Sequence, residues 1–123
     1  MLIVVIPAFR ESGTIGDVVA AVRPQARVIV VDDASDDGTA EVAEAAGAQV
    51  VRIEKNRGYE GALNIGFTAA AAGGASAILT MDADGEHGAE YVATFSHLLM
   101  NEKVPLVLGR RTRPQRVAET IVG

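Results

Sequence analysis

Cysteine is absent from this chain of 123 residues, which excludes disulfides, thiolate zinc sites and cysteine nucleophiles and fits a reducing compartment. Tryptophan is absent as well. Aromatic residues make up only 4% of a chain that is 49% hydrophobic, so the core has to be built from Val, Ile, Leu and Ala, the composition of an α/β protein. No apolar run approaches the ~18 residues of a membrane span. The opening MLIVVIPAFRE has about five consecutive apolar residues after Met1, no basic region and no small-residue cleavage site, so it reads as a strand rather than a signal peptide. A soluble chain is expected, cytoplasmic or peripheral at a membrane. Positive charge is in the minority, and the net charge of −5 argues against a nucleic-acid binder, whose affinity would rest on neutralising phosphates. No Gly-x-Gly-x-x-Gly follows the first apolar run, where Pro7-Ala8-Phe9-Arg10-Glu11 stands instead, and this counts against a dinucleotide-binding domain.

What is present is organised around AILTMDADGEH at residues 77–87. A short apolar run suited to a buried strand gives way to Asp82, Asp84 and Glu86 on alternate residues, with Gly85 easing the turn. Three carboxylates at the mouth of a buried strand repel one another unless protons or a cation lie between them. Oxygen-only ligation suits Mg²⁺ or Mn²⁺, which keep waters and bridge to substrate phosphates. An Asp-x-Asp tripeptide taken alone is common in solvated loops, so the weight of this one depends on the rest of the chain.

The rest reads as alternating strands and helices in a single domain, 1–123. Strands are expected at 2–6, 27–31, 48–53, 77–81 and 105–108. Helices are expected from Ser12 or Thr14 to about residue 22, from the run 34–39 to about 46 with Gly47 after it, over 59–72, and over 89–100. In the third helix Tyr59, Leu63 and Phe67 lie four apart as its buried face. This order requires parallel strands with right-handed crossovers, hence an open, mostly parallel sheet with helices on both faces. Ligands bind such sheets at the carboxyl ends of the strands. The polar residues gather there: 9–11, Asp32 and Asp33, 55–57, 82–87, and Arg110 with Arg111.

Those residues match the parts of a nucleoside diphosphate. Asp32 and Asp33 can accept from base N–H and ribose O–H groups, the acids at 82, 84 and 86 can hold a cation on the diphosphate, and Lys55 or Arg57 can meet its residual charge. Five stretches in this order, VVIPAFRESGTI (4–15), VIVVDDASDDGT (28–39), EKNRGYEGALNIGF (54–67), ILTMDADGEH (78–87) and VLGRR (107–111), resemble the inverting family 2 glycosyltransferases of the GT-A fold. Within that family they are similar to the dolichol-phosphate mannose synthase branch. The resemblance implies a Rossmann-like nucleotide-diphospho-sugar-binding half that uses Mg²⁺ or Mn²⁺. Pro7, Phe9 and Glu11 match its first nucleotide-contacting strand exit, Asp33 the acid that addresses the base, and 55–58 the loop that closes over the nucleotide. Asp84 matches the direct metal ligand, and Asp82 faces the ribose and metal waters. Glu86 stands where the branch has Gln. Arg111 matches an arginine that faces the acceptor phosphate, with Arg110 in place of a Ser, so a polyprenyl phosphate is the implied acceptor and Arg111 the implied catalytic residue.

Family members continue past the point where this chain ends, with an acceptor-side segment. The edge beside the fifth strand is therefore expected to lie open and to be covered by self-association, most simply in a two-fold dimer. A nucleotide-diphosphate-binding module without turnover is the other reading. A phosphohydrolase similar to the haloacid dehalogenases fares worse, because there the Asp-x-Asp-Gly ends the first strand, not the fourth. His97 reads as a surface residue of the last helix. The arginines at 110–116 read as a solvated tail that can meet an acceptor phosphate or an anionic membrane surface.

Overall fold

A computed structural model describes residues 1–83, 90, 92–94, 97, 107–112 and 115–120, the last two segments as backbone. Its strands are β1 (Leu2–Ala8), β2 (Arg27–Asp33), β3 (Gln49–Ile53), β4 (Ala77–Thr80), β5 (Val107–Thr112) and β6 (Gln115–Thr120). Its helices are α1 (Ile15–Val22), α2 (Thr39–Ala45) and α3 (Gly58–Ala72). The sheet runs β3-β2-β1-β4-β5-β6, parallel from β3 to β5, with β6 antiparallel on β5. The expected open, mostly parallel α/β sheet is the one observed. Glu90, Val92, Ala93, Thr94 and His97 are helical, within the span expected for the last helix; its other residues lie outside those described.

Two of the sequence expectations are corrected at the far edge. The fifth strand does not stop at 108 but continues to Thr112, and 115–120 form a sixth strand, so that Arg110, Arg111 and Arg116 of the tail expected at 110–116 lie in paired strands. The reason is backbone pairing: β5 carries a row of N–H and C=O groups on its outer side, and β6 takes them up from Val107↔Thr120 to Thr112↔Gln115. Gln115-Arg116-Val117-Ala118-Glu119-Thr120 has too few apolar residues to announce a strand. Thus the edge expected to be open is paired, and β6 is the outermost strand among the described residues.

Strand alternation sorts the core into two layers. Val4, Ile6, Val28, Val30 and Leu79 face α1 and α2, where Ile15, Val18, Val19 and Val22 supply the apolar stripe of α1. Each such side chain contributes about 1.5–3 kcal/mol when fully buried. Ile3, Val5, Ile29, Val31 and Ile78 face α3 on the other side. The line of α3 that meets the sheet is Ala62, Gly66 and Ala70, not the expected Tyr59, Leu63 and Phe67, which flank it half-buried. The cause is close approach: a Cβ on Gly66 would stand 2.3 Å from Val5 Cγ1 and 3.1 Å from Val31 Cγ2. At the end of α2, Gly47 takes the left-handed conformation expected of it, φ 110, and the pair Gly47 N–Glu44 O and Ala48 N–Ala43 O closes a Schellman turn.

Among the described residues no helix is long and apolar enough to cross a membrane.

Candidate functional site

The strand order reverses at β1, which has β2 on one side and β4 on the other, so the crevice of this sheet lies between the carboxyl ends of β1 and β4. Pro7 is what opens it. The β1–β4 ladder ends at Val5↔Thr80, with Met81 N donating to Val5 O at 3.2 Å. The next residue of β1 facing β4 is Pro7, which has no N–H to give. A proline inside a central strand therefore breaks no bond on the β2 side, where pairing continues to Ala8↔Asp32, and ends pairing on the β4 side. Met81 and Ala83 pack into the α1–α2 layer, so the half-buried Asp82 between them falls on the side of α3. Asp84, Glu86 and His87 lie outside the described residues. Because Thr80 pairs with Gly109, β5 carries Arg110 and Arg111 past the end of β4, level with Met81 and Asp82.

The two acids that end β2 point to opposite faces. Asp33, 4% exposed, lies on the α3 side, where its two carboxylate oxygens separately accept the backbone N–H groups of Arg57 (2.7 Å) and Gly58 (2.9 Å). Asn56 Nδ2 donates to the Asp33 carbonyl at 3.2 Å. A carboxylate thus sits at the positive end of the fifteen-residue α3 and ties the loop 54–57 to β2. Lys55 and Arg57 are exposed on that loop.

Asp32 lies on the α1–α2 side and is fully buried. Its Oδ1 accepts from Ser35 N at 3.1 Å, while among the described residues Oδ2 has no hydrogen-bond partner and meets Arg52 Nε at 3.9 Å. That separation exceeds a hydrogen bond, so the contact is ionic. The expected pair of ligand acceptors thus lies on two faces, Asp33 at the first turn of α3 and the fully buried Asp32 against its own loop.

The β1 exit is shaped by left-handed backbone. Arg10 (φ 54) and, on the β2 exit, Ala34 (φ 64) are the non-glycine residues with positive φ among those described, a conformation that costs roughly 1–3 kcal/mol and persists where the surroundings enforce it. Arg10 is held through its N–H on Ser35 Oγ (2.8 Å) and its guanidinium on both oxygens of Asp36 (3.1 and 3.2 Å). The same guanidinium lies 5.0 Å from the centre of the Phe9 ring. Phe9 itself is 42% exposed, an aromatic ring presented to solvent at the crevice. The Glu11 side chain accepts from Thr14 Oγ1 at 3.0 Å, so the hydroxyl expected to cap α1 is turned back to Glu11 instead.

Asp37 accepts from Ser12 N, Thr39 N and the Thr39 hydroxyl. The Thr39 hydroxyl bond, ahead of those from Ser12, holds its carboxyl down at about 2, against an opposing push from desolvation. Sequence reasoning placed Arg10 at the rim but missed Ser35, Asp36, Asp37 and Thr39 as site-forming residues. The run Ser35-Asp36-Asp37-Gly38-Thr39 was legible only as a choice of helix caps, and nothing local says that four of its side chains serve another loop.

An open α/β sheet with a crevice where its strand order reverses, acids at the exits of β2 and β4 and an exposed aromatic at the exit of β1 is the architecture of a ligand-binding α/β domain. The chain belongs to glycosyl transferase family 2, whose model matches residues 3–120. It is 35% identical over 112 residues to an uncharacterized protein of Methanocaldococcus jannaschii, covering 89% of this chain and 46% of that one. It is 37% identical over 108 residues to an uncharacterized glycosyltransferase of Mycobacterium tuberculosis, covering 88% and 47%. The chain thus spans just under half the length of the curated relatives it matches. Among solved structures, glucosyl-3-phosphoglycerate synthase of M. tuberculosis superposes with a TM-score of 0.68 at 28% identity, over 86% of this chain and 43% of the enzyme. The same enzyme with Mn²⁺, UDP and glucosyl-3-phosphoglycerate superposes with a TM-score of 0.58 at 29% identity, over 68% and 33%.

Proposed function

We propose that this chain is the donor-binding part of a metal-dependent, inverting glycosyltransferase that takes a sugar from a UDP- or GDP-sugar and passes it to a phosphate-bearing acceptor. The observation that carries the reading is the gap that Pro7 opens between β1 and β4, with Phe9 exposed on one side, Asp82 on the other and the Asp33-anchored loop 54–57 beside it. Phe9 and Glu11 meet the base and ribose, with Asp33 addressing the base while it holds the loop. Lys55 and Arg57 meet the diphosphate.

The donor set at β4 fits a hard cation, since Asp82 leaves a buried strand on the crevice side with carboxylates two and four residues on and no nitrogen or sulfur ligand among them. Asp82, Asp84 and Glu86 would hold Mg²⁺ or Mn²⁺, as the similar synthase is solved with Mn²⁺ and UDP or with Mg²⁺ and UDP. When bound, the ion supplies charge neutralisation on the diphosphate leaving group. The acceptor oxygen attacks the anomeric carbon opposite the diphosphate, the bond from that carbon to the diphosphate oxygen breaks, and the configuration inverts.

Arg111, with Arg110 beside it, is the residue that receives the acceptor phosphate. An ionised phosphate is its own nucleophile, so no protein base is required of this part. The likeness to dolichol-phosphate mannose synthases supports a polyprenyl phosphate as the acceptor, with the arginine-bearing rim at an anionic membrane surface. A second copy would pair along the outer edge of β6, the outermost strand among the described residues.

Titration calorimetry with UDP and GDP tests the reading. Binding at least tenfold tighter in Mn²⁺ than in EDTA is expected. Equal affinity in both removes the metal, and no binding by either nucleotide refutes the donor site.

A further inference from the structure

Beyond Ala8↔Asp32 the β1–β2 ladder stops, yet the next backbone donors of the β1 exit are not left to water. Three consecutive N–H groups are taken by two side chains of the β2–α2 loop and by the first residue of α2. Arg10 N donates to Ser35 Oγ at 2.8 Å, Glu11 N to Thr39 Oγ1 at 3.0 Å, and Ser12 N to Asp37 Oδ2 at 3.3 Å. Side chains thus continue the pairing where backbone can no longer follow, because Arg10 has turned into the left-handed region and swung the chain outward. Ser35 and Thr39 are buried, so these acceptors are fixed in place by packing.

The centre of this comb has a defined polarity. A hydroxyl has one proton and two lone pairs. The Thr39 proton is committed to Asp37 Oδ1, which leaves its oxygen as an acceptor aimed at Glu11 N. Asp37 in turn uses its second oxygen for Ser12 N, so one carboxylate orients the hydroxyl and holds the next residue of the loop.

We propose that Thr39 and Asp37 are positioning residues for nucleotide binding, which hold the β1 exit loop in the shape that presents Phe9 and Glu11 to the nucleotide. The inference rests on the donor-site reading above and assigns the pair no contact with the ligand. A pre-formed loop spares the nucleotide the entropy of ordering it, so loosening the comb should appear as lost affinity.

The test compares UDP affinity in Mn²⁺ with thermal stability in four proteins: wild type, Thr39→Val, Thr39→Ser and Val22→Ala. Thr39→Val keeps the shape and removes the acceptor for Glu11 N; the expected loss is roughly three- to tenfold in affinity, the worth of one hydrogen bond. Thr39→Ser keeps the hydroxyl and is expected within about twofold of wild type, since the Glu11 bond survives. Val22→Ala destabilises the core at the opposite end of α1 and should bind UDP as wild type does. Unchanged affinity in Thr39→Val, or an equal loss in Val22→Ala, overturns the positioning role while leaving the donor site standing. Failure of the wild type to bind UDP or GDP refutes the donor site and this inference together.

Discussion

Replacing Asp33 by Asn separates what its carboxylate does for the fold from what it does for a ligand. The carboxylate is buried, and each oxygen accepts one backbone N–H, from Arg57 at 2.7 Å and from Gly58 at 2.9 Å. An amide can keep one of these bonds, as a neutral one, and must turn its NH₂ toward the other N–H. A hydrogen bond to a charged acceptor contributes about 1.5–3 kcal/mol and a neutral one about 0.5–1.5 kcal/mol. The charge at the first turn of α3 is lost in the same change, an overlapping contribution rather than an additional one. Asp33→Asn is therefore expected to cost about 2–3 kcal/mol. With a urea slope of about 1–3 kcal/mol per molar, the midpoint should fall by roughly 0.7–3 M at unchanged slope. Hydrogen exchange should accelerate first at Arg57 and Gly58, the two amides released. A midpoint within about 0.3 M of wild type would show that the α3 amides find equivalent partners in water, and the anchoring role of Asp33 would be refuted.

Other perturbations are read in the same way. Gly66→Ala gains about 1 kcal/mol of helix propensity but places a methyl 2.3 Å from Val5 Cγ1, in a strand buried on both faces, and a net loss of about 1–2 kcal/mol is expected; an equal or higher melting temperature would show that α3 can lift off the sheet freely. Asp37 titrates at about 2 when folded against an ordinary 3.8, so the unfolded chain binds its proton first and the stability it contributes, fully present above 3.8, is lost as pH falls through about 2. Asp37→Asn should therefore flatten the acid limb of the stability curve in that window, and an unchanged limb would place the titration elsewhere. In Mn²⁺, Asp84→Asn should weaken UDP binding more than Glu86→Gln, which restores the amide the resemblance places there; the reverse order in calorimetry would reassign the direct ligand.

The apolar pattern of the chain determined the layers. Val28-Ile29-Val30-Val31 is buried on both faces because every residue is apolar, and Ile15, Val18, Val19 and Val22 make α1 one-sided by their spacing alone. Asp33 and Asp82 were legible as strand-exit residues for the same reason, since a charged residue directly after a buried run stands where that run ends, but the same rule did not tell Asp33 from the fully buried Asp32. Which strands are neighbours was not local information. Only the tertiary structure set β1 between β2 and β4, and only then did Pro7 become the residue that parts the sheet.

Asp32 and Asp33 look equivalent in sequence, and their separation came from what packs on each face: Ser35 and Arg52 on one, the first turn of α3 on the other. β6 formed because an edge needed a partner, which a polar segment can supply through its backbone without an apolar signature. The comb of Ser35, Thr39 and Asp37 acts on residues 25 to 28 positions earlier in the chain. Such bonds depend on two loops leaving adjacent strands side by side, a property of strand order and not of either loop's own sequence.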